Sequence, residues 1–312
     1  MTDVATAEHI LVIKHGALGD IVLALGPMQA IRAHHPQARI TLLTTAPFVE
    51  FLRASRLFDE IWIDERQKRW NLLATWSLMR KLRSRPFARV YDLQTSDRSS
   101  FYFRLFRSPK PEWSGIAPGA SHPHDNPQRD RLHTVERQAE QLRRIGIDQV
   151  ALPNLDFADA DISRFGLNRS FALLFPGGAA HRPAKRWPVE SYAVLAKELT
   201  RSGLTPVLLG GEAERELTQR IFRSCAEARD LAGQTSLIEI VALARAARIA
   251  IGNDTGPMHL IAAAGCPSIV LFSHDSDPAL CAPVGPVSIL RKEKLTSLSV
   301  GEVATQAIRL RR

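Results

Sequence analysis

Residues 249–265, IAIGNDTGPMHLIAAAG, hold the pattern that decides the fold. The run Ile249 to Ile251 is short, apolar and partly β-branched, as expected of a strand buried in a parallel sheet. A small polar turn, Gly252-Asn253-Asp254-Thr255, ends it, and Gly256-Pro257-Met258-His259 opens a helical stretch that Gly265 closes. Asp254 or Thr255 suits the cap, Gly256 lets a ligand approach the backbone, and Pro257 is tolerated in a first turn because it brings no N–H. A strand, a glycine-bearing turn and a helix N-terminus together form an anion site. His259 falls on the first turn, within reach of a phosphate. The same residues also suit a capped, buried helix with a core histidine. The density of special residues favours the phosphate reading.

Outward from that stretch the alternation repeats. FALLFPGG (171–178), TPVLLGG (205–211) and PSIVLF (267–272) read as strands. Helical patterns lie between them, one with Tyr192, Leu195 and Leu199 recurring before Gly203, and one with Ser236 and Glu239 as a capping box. A final helix is expected over the last residues, SVGEVATQAIRLRR. In the first half HILVIKHG, ARITLLTT, EIWID and ARVYDLQT read as strands separated by helices. One of those helices, WNLLATWSLMRKLRSR, is expected to gather Leu72, Leu73, Trp76 and Met79 on one face, and another is opened by Ser96. Residues 117–131, rich in Gly, Pro, His and Asn, read as a long loop, followed by a helix near Thr134 to Arg144. The expectation is an α/β chain of two Rossmann-like, doubly wound domains, 1–155 and 156–297, with a C-terminal helix over 298–312 and a cleft between the domains.

Ligands in such sheets bind beyond the C-terminal ends of strands. Two further turns qualify. His15-Gly16-Ala17-Leu18-Gly19-Asp20 follows the first strand, but its glycines lie three apart and an acid stands at the helix start, unlike a dinucleotide-binding turn. Asp20 is either a complement to the helix dipole or a general base at a cleft edge. Pro176-Gly177-Gly178 leads through Lys185-Arg186-Trp187-Pro188 into a helix, and Lys185 beside a second diphosphate-compatible turn is a candidate leaving-group clamp. Acids in Gly210-Gly211-Glu212-Ala213-Glu214 suit ribose hydroxyls or a helix start equally.

Composition narrows the class. Of 312 residues 45% are hydrophobic and 23% charged, ordinary for a globular protein. No run of about 18 apolar residues reads as a membrane span, and the N-terminus lacks the basic and apolar regions of a signal peptide. Cys225, Cys266 and Cys281 fit neither disulfide nor metal-ligand spacing and are expected as buried thiols in a reducing cytoplasm. The net charge of +9 is uneven. Residues 66–110 hold twelve lysines and arginines against Asp92 and Asp97, so the segment is +10 and the rest of the chain −1. Trp70, Trp76, Phe101, Tyr102, Phe103 and Phe106 interleave it. Solvated helix faces explain the spacing, yet the imbalance points to an anionic partner: a phosphorylated glycolipid, an acidic membrane surface or nucleic acid.

Gly16-Ala17-Leu18-Gly19-Asp20, Lys185 with Trp187-Pro188, and Gly252 through His259, in this order and spacing, resemble the ADP-heptose:lipopolysaccharide heptosyltransferases, glycosyltransferase family 9. The resemblance implies the GT-B fold, with an N-terminal acceptor domain and a C-terminal donor domain. It implies inverting transfer of a heptose from a nucleotide donor, ADP-heptose, to inner-core lipopolysaccharide. By position Asp20 looks like the general base. Asp254, Thr255, Gly256 and His259 look like diphosphate and sugar contacts, with Gly177, Gly178 and Lys185 beside them. Glu214 matches the ribose-binding glutamate better than Glu212 does, lying four residues after Gly210.

The basic segment and the 117–131 loop would then face the lipid A-core acceptor at the inner face of the inner membrane, through Gly19, Arg66, Lys68, Arg69, Arg98, Arg104, His122 and His124. No cofactor or metal is expected, helix dipole and cation serving as the charge sink. Two departures stand out: Ser273-His274-Asp275-Ser276-Asp277-Pro278 replaces a Gly-containing turn, and residues 179–184 lack the hydroxyl residues some members place there. Both bear on the donor. Rival readings are another sugar-nucleotide enzyme such as an epimerase, a silent sugar-nucleotide binder, and a nucleic-acid binder. No recognition-helix, zinc or RNP-type motif supports the last.

Overall fold

Twelve strands are described, six in each half of the chain. In the first half they are β1 (His9–Ile13), β2 (Arg39–Thr44), β3 (Glu60–Ile63), β4 (Arg89–Asp92), β5 (Glu112–Gly115) and β6 (His122–Pro123). In the second they are β7 (Phe171–Phe175), β8 (Thr205–Leu208), β9 (Arg229–Asp230), β10 (Ile249–Asn253), β11 (Ser268–Phe272) and β12 (Val287–Arg291). The structure is a computed structural model in which residues 7–68, 70–167, 170–178 and 182–310 are described. The chain divides between Pro153 and Asn154 into two units.

Each unit carries one parallel six-stranded sheet. The orders are β3-β2-β1-β4-β5-β6 and β12-β11-β10-β7-β8-β9. Numbered from its own first strand, the second sheet repeats the order of the first. Both are doubly wound α/β sheets of the expected class. The order reverses between β1 and β4 in one and between β7 and β10 in the other, and these switch points are where loops diverge and leave a crevice.

Strand burial explains the apolar runs. Residues of β7, β10 and β11 are all buried, because helices cover both faces. In the second unit Leu174, Ile251 and Leu271 pack with Tyr192, Leu195 and Leu199 of the helix Val189–Arg201. Each such leucine contributes about 1.5–3 kcal/mol by leaving water. In the first, Leu11, Ile13 and Val90 pack with Tyr102, Phe103 and Trp113. The sequence-read caps are present. Ser236 Oγ accepts from Glu239 N–H at 3.2 Å while Glu239 Oε2 accepts from Ser236 N–H at 2.8 Å. Ser96 Oγ likewise accepts from Ser99 N–H at 3.2 Å.

Several expectations need correction. β5, β6, β9 and β12 went unread, and the 117–131 segment contains β6 and a turn of 3-10 helix at Arg129–Arg131. The helix Leu72–Leu82, capped by Asn71, turns Leu78, Met79 and Leu82 inward rather than Leu72, Leu73 and Trp76, which are exposed. The expected C-terminal helix is present as Val300–Leu310 and packs Val303 and Ala307 into the second unit's core. Cys225 and Cys266 are buried, whereas Cys281 is partly exposed.

Candidate functional site

At the second unit's switch point the turns after β7, β8 and β10 converge. Asn253, last residue of β10 and wholly buried, ties them together. Its Nδ2 donates to the carbonyls of Pro176 at 2.9 Å and Gly177 at 3.0 Å. Its Oδ1 accepts from Trp187 N–H at 3.0 Å and from the Tyr192 hydroxyl at 3.1 Å. One amide thus joins the glycine turn, the cationic loop and the strand end.

The side chains read from the sequence lie around this joint. Lys185 Nζ pairs with Asp254 Oδ2 at 2.6 Å, and Ser276 Oγ donates to the same oxygen at 2.6 Å. Both members of the ion pair are largely buried, with 12% and 7% of their side chains exposed. In that setting the loss of one partner leaves an uncompensated charge. Thr255 occupies the N-cap of the helix Gly256–Ala263, but its hydroxyl donates back to Asn253 O at 3.2 Å rather than capping the helix. His259 is buried on the first turn.

Gly178 abuts this turn. A Cβ there would stand 3.6 Å from the Thr255 methyl, and its carbonyl accepts from the Arg186 guanidinium. Glu214 lies against Gly177, where a Cβ would come within 2.6 Å of Glu214 Cγ. Its Oε2 accepts from Gly211 N–H at 2.9 Å. Glu212 is instead taken by Arg215 at 2.7 Å. The structure therefore brings together Gly177, Gly178, Lys185, Glu214, Asp254, Thr255, Gly256 and His259.

In the first unit, Asp20 stands on the first turn of the helix Leu18–Leu23, and its Oδ2 accepts from Ala17 N–H at 3.0 Å. It complements the helix start and is partly exposed. Lys14, buried at the end of β1, donates to Leu93 O at 3.2 Å. Burial lowers its ammonium pKa, and Asp20 opposes that shift. Asp92 ends β4 fully buried, and burial pushes its carboxyl up to about 6 against hydrogen bonds from Thr95 and Ser99.

A third acid was not legible as functional. Asp64 Oδ2 lies 3.1 Å from His15 Nε2 and accepts from the Tyr102 hydroxyl. Burial would raise this carboxyl, but the bonds from His15, Tyr102 and the Arg66 N–H outweigh it and hold it at about 2. Beside the network is a cavity of about 260 Å³ lined by Asp64, Gln67, Thr75, Lys81, Arg98 and Tyr102. No sequence signal links these residues, because they come from three separate loops and helices.

The expected acceptor-facing set is not one patch. Arg66 and Lys68 are exposed beyond β3, and Arg98 donates to Gln67 O at 3.0 Å. Arg104 is exposed after its helix, and Arg69 lies outside the described residues. His122 and His124 sit at β6, the opposite edge of the sheet from β3. Gly19 is buried, and so is the His124 side chain, which is therefore not presented to an acceptor. Burial and Arg129 lower the His124 pKa, against the pull of Glu140 at 3.6 Å.

The metal-free reading overlooks two Asp-x-Asp triplets that the sequence does hold, Asp159-Ala160-Asp161 and Asp275-Ser276-Asp277. Asp275 pairs with His274 at 2.9 Å, Asp277 caps the helix Pro278–Cys281, and Asp161 accepts from Ser163. Among the described residues no three His, Cys, Asp or Glu side chains group to hold a metal ion.

The model of glycosyltransferase family 9 (heptosyltransferase) matches residues 75–295. The chain belongs to that family. It is a glycosyltransferase by membership, and its two sheets carry the GT-B architecture the motifs imply. It is 27% identical to lipopolysaccharide heptosyltransferase 2 of Escherichia coli (strain K12) over 312 aligned residues, covering 86% of this chain and 83% of that one. The structure of E. coli ADP-heptose LPS heptosyltransferase II superposes with a TM-score of 0.80 at 23% identity, covering 97% of this chain and 98% of that one. E. coli heptosyltransferase WaaC with ADP gives 0.76 at 19% identity, over 97% and 100%.

Proposed function

We propose that this family member transfers a heptose, with inversion, from ADP-heptose to a hydroxyl of the lipopolysaccharide inner core, working on the cytoplasmic face of the inner membrane. The observation that carries the donor half of this reading is the convergence of Gly177, Lys185, Glu214 and Thr255 around the Asn253 joint. Related enzymes named for lipopolysaccharide support the acceptor class.

In this reading the acceptor hydroxyl attacks the anomeric carbon, its proton passing to Asp20. The bond to the diphosphate oxygen breaks, and that oxygen leaves with the electron pair. The N-terminus of the helix Gly256–Ala263 and the Lys185 ammonium take up the charge. Asp254 and Ser276 hold Lys185 ready, and the incoming diphosphate draws the ammonium toward itself. Glu214, set beside Gly177, accepts from the ribose hydroxyls. Nothing in this sequence of steps calls on a metal ion.

The test is incubation of the enzyme and a deacylated core acceptor with a panel of nucleotide sugars, with and without chelator. One product with inverted anomeric configuration from ADP-heptose, insensitive to chelator, is expected. Retention, loss of turnover on chelation, or preference for another donor overturns the corresponding part. Conversion of the donor without acceptor would point to an epimerase.

A further inference from the structure

The helix Leu72–Leu82 turns one face to the core and leaves the other bare. Trp70, Leu72, Leu73 and Trp76 are 75%, 78%, 81% and 52% exposed, four large apolar side chains within seven residues. Folded chains seldom leave such a run open to water unless something covers it. The surroundings say what. From Arg66 to Tyr91 the chain has eight lysines and arginines and no carboxylate. Lys68 Nζ sits 5.1 Å from the centre of the Trp70 ring, and the Arg80 guanidinium 4.7 Å from that of Trp76. An apolar ridge with two tryptophans and cations laid along the rings matches a bilayer interface, where indoles lie at headgroup depth and cationic stems reach back to phosphates.

We propose that Trp70, Leu72, Leu73 and Trp76 insert into the headgroup–acyl boundary of an anionic bilayer, with Lys68 and Arg80 on the lipid phosphates. A second copy of this chain suits the face less well, since a two-fold interface would set the two cationic rims against each other. The proposal rests on the reading that the acceptor is a membrane-held glycolipid, and it adds the element that docks and the apolar mode of docking.

The experiment compares the full chain with a Leu72→Ser/Leu73→Ser/Trp76→Ser variant. Both are sedimented with phosphatidylcholine vesicles with and without about 30% phosphatidylglycerol. Brominated lipids report insertion through tryptophan quenching. The expected result is binding to anionic vesicles with quenching, and at least about tenfold weaker binding by the variant. The variant should show an unchanged melting temperature and unchanged turnover on a deacylated, soluble acceptor.

Equal vesicle binding by both proteins overturns the proposal. So does wild-type binding that salt removes completely without quenching, and so does light scattering that shows the variant splitting a dimer. Absence of wild-type turnover on the soluble acceptor would instead count against the transferase reading, leaving the vesicle result to stand by itself.

Discussion

Replacing Asn253 by Ala should cost the second unit more stability than removal of a core methyl group. The amide makes four hydrogen bonds at 2.9–3.1 Å with no exposed surface. At a net ~1 kcal/mol each, and with two carbonyls, an N–H and a hydroxyl left in a buried space, the loss is about 3–4 kcal/mol if one water partly refills the site. A domain of this size loses about 2–4 °C per kcal/mol, so the melting temperature should fall by on the order of 10 °C. Differential scanning calorimetry of the full chain, with and without ADP, is the assay. Asn253→Asp is the control: it keeps the acceptor oxygen, but of the two donations it can restore at most one, and that only while its carboxyl is protonated. Its carboxyl, raised by burial, binds a proton more tightly folded than unfolded, so that variant should lose stability as pH rises. A fall of less than about 3 °C for Asn253→Ala would refute the idea that this amide holds the donor turns together.

Asp20→Ala should lower turnover by roughly 10²-fold or more while calorimetric donor affinity stays nearly unchanged; a parallel loss of affinity would remove the base role. Lys185→Ala leaves the Asp254 carboxylate buried with Ser276 alone, so it should weaken ADP binding and lower stability, and Lys185→Ala/Asp254→Ala should recover part of the stability but not the ADP affinity in a double-mutant cycle. Asp92 has a folded pKa of about 6, above its unfolded value of about 3.9. Its contribution is therefore fully present below about pH 4 and lost as pH rises through 6. Urea unfolding of Asp92→Asn should accordingly lack part of the wild type's decline in stability between those values.

Much of this was legible because parallel strands buried on both faces announce themselves as apolar runs. The glycine turns after β7, β8 and β10 stand where ligand sites of such sheets occur. Apart from β12, a five-residue strand, what escaped was short or distributed. β5 is Glu-Trp-Ser-Gly, and β6 and β9 are two residues each, all made strands by a neighbour's ladder rather than by composition. Leu72, Leu73, Trp76 and Met79 were grouped on one face, but apolar spacing carries no sign of which side the core lies on, and only Met79 of the four turns inward. The contact of Asp64 with His15 and Tyr102 joins residues far apart in sequence, and no local rule foresees it. Asn253 was inside the motif that carried the reading. Its four bonds were not readable there, since all its partners belong to residues 176–192.

That Asn253 is an amide, and not an acid or an imidazole, has a consequence for how the enzyme meets its surroundings. A carboxamide neither gains nor loses a proton at any acidity a cell experiences. The knot it ties among three loops is thus indifferent to proton concentration. An acid or alkaline limb in the rate profile then originates in ionisable neighbours, the Lys185–Asp254 pair among them, and not in titration of the Asn253 amide itself.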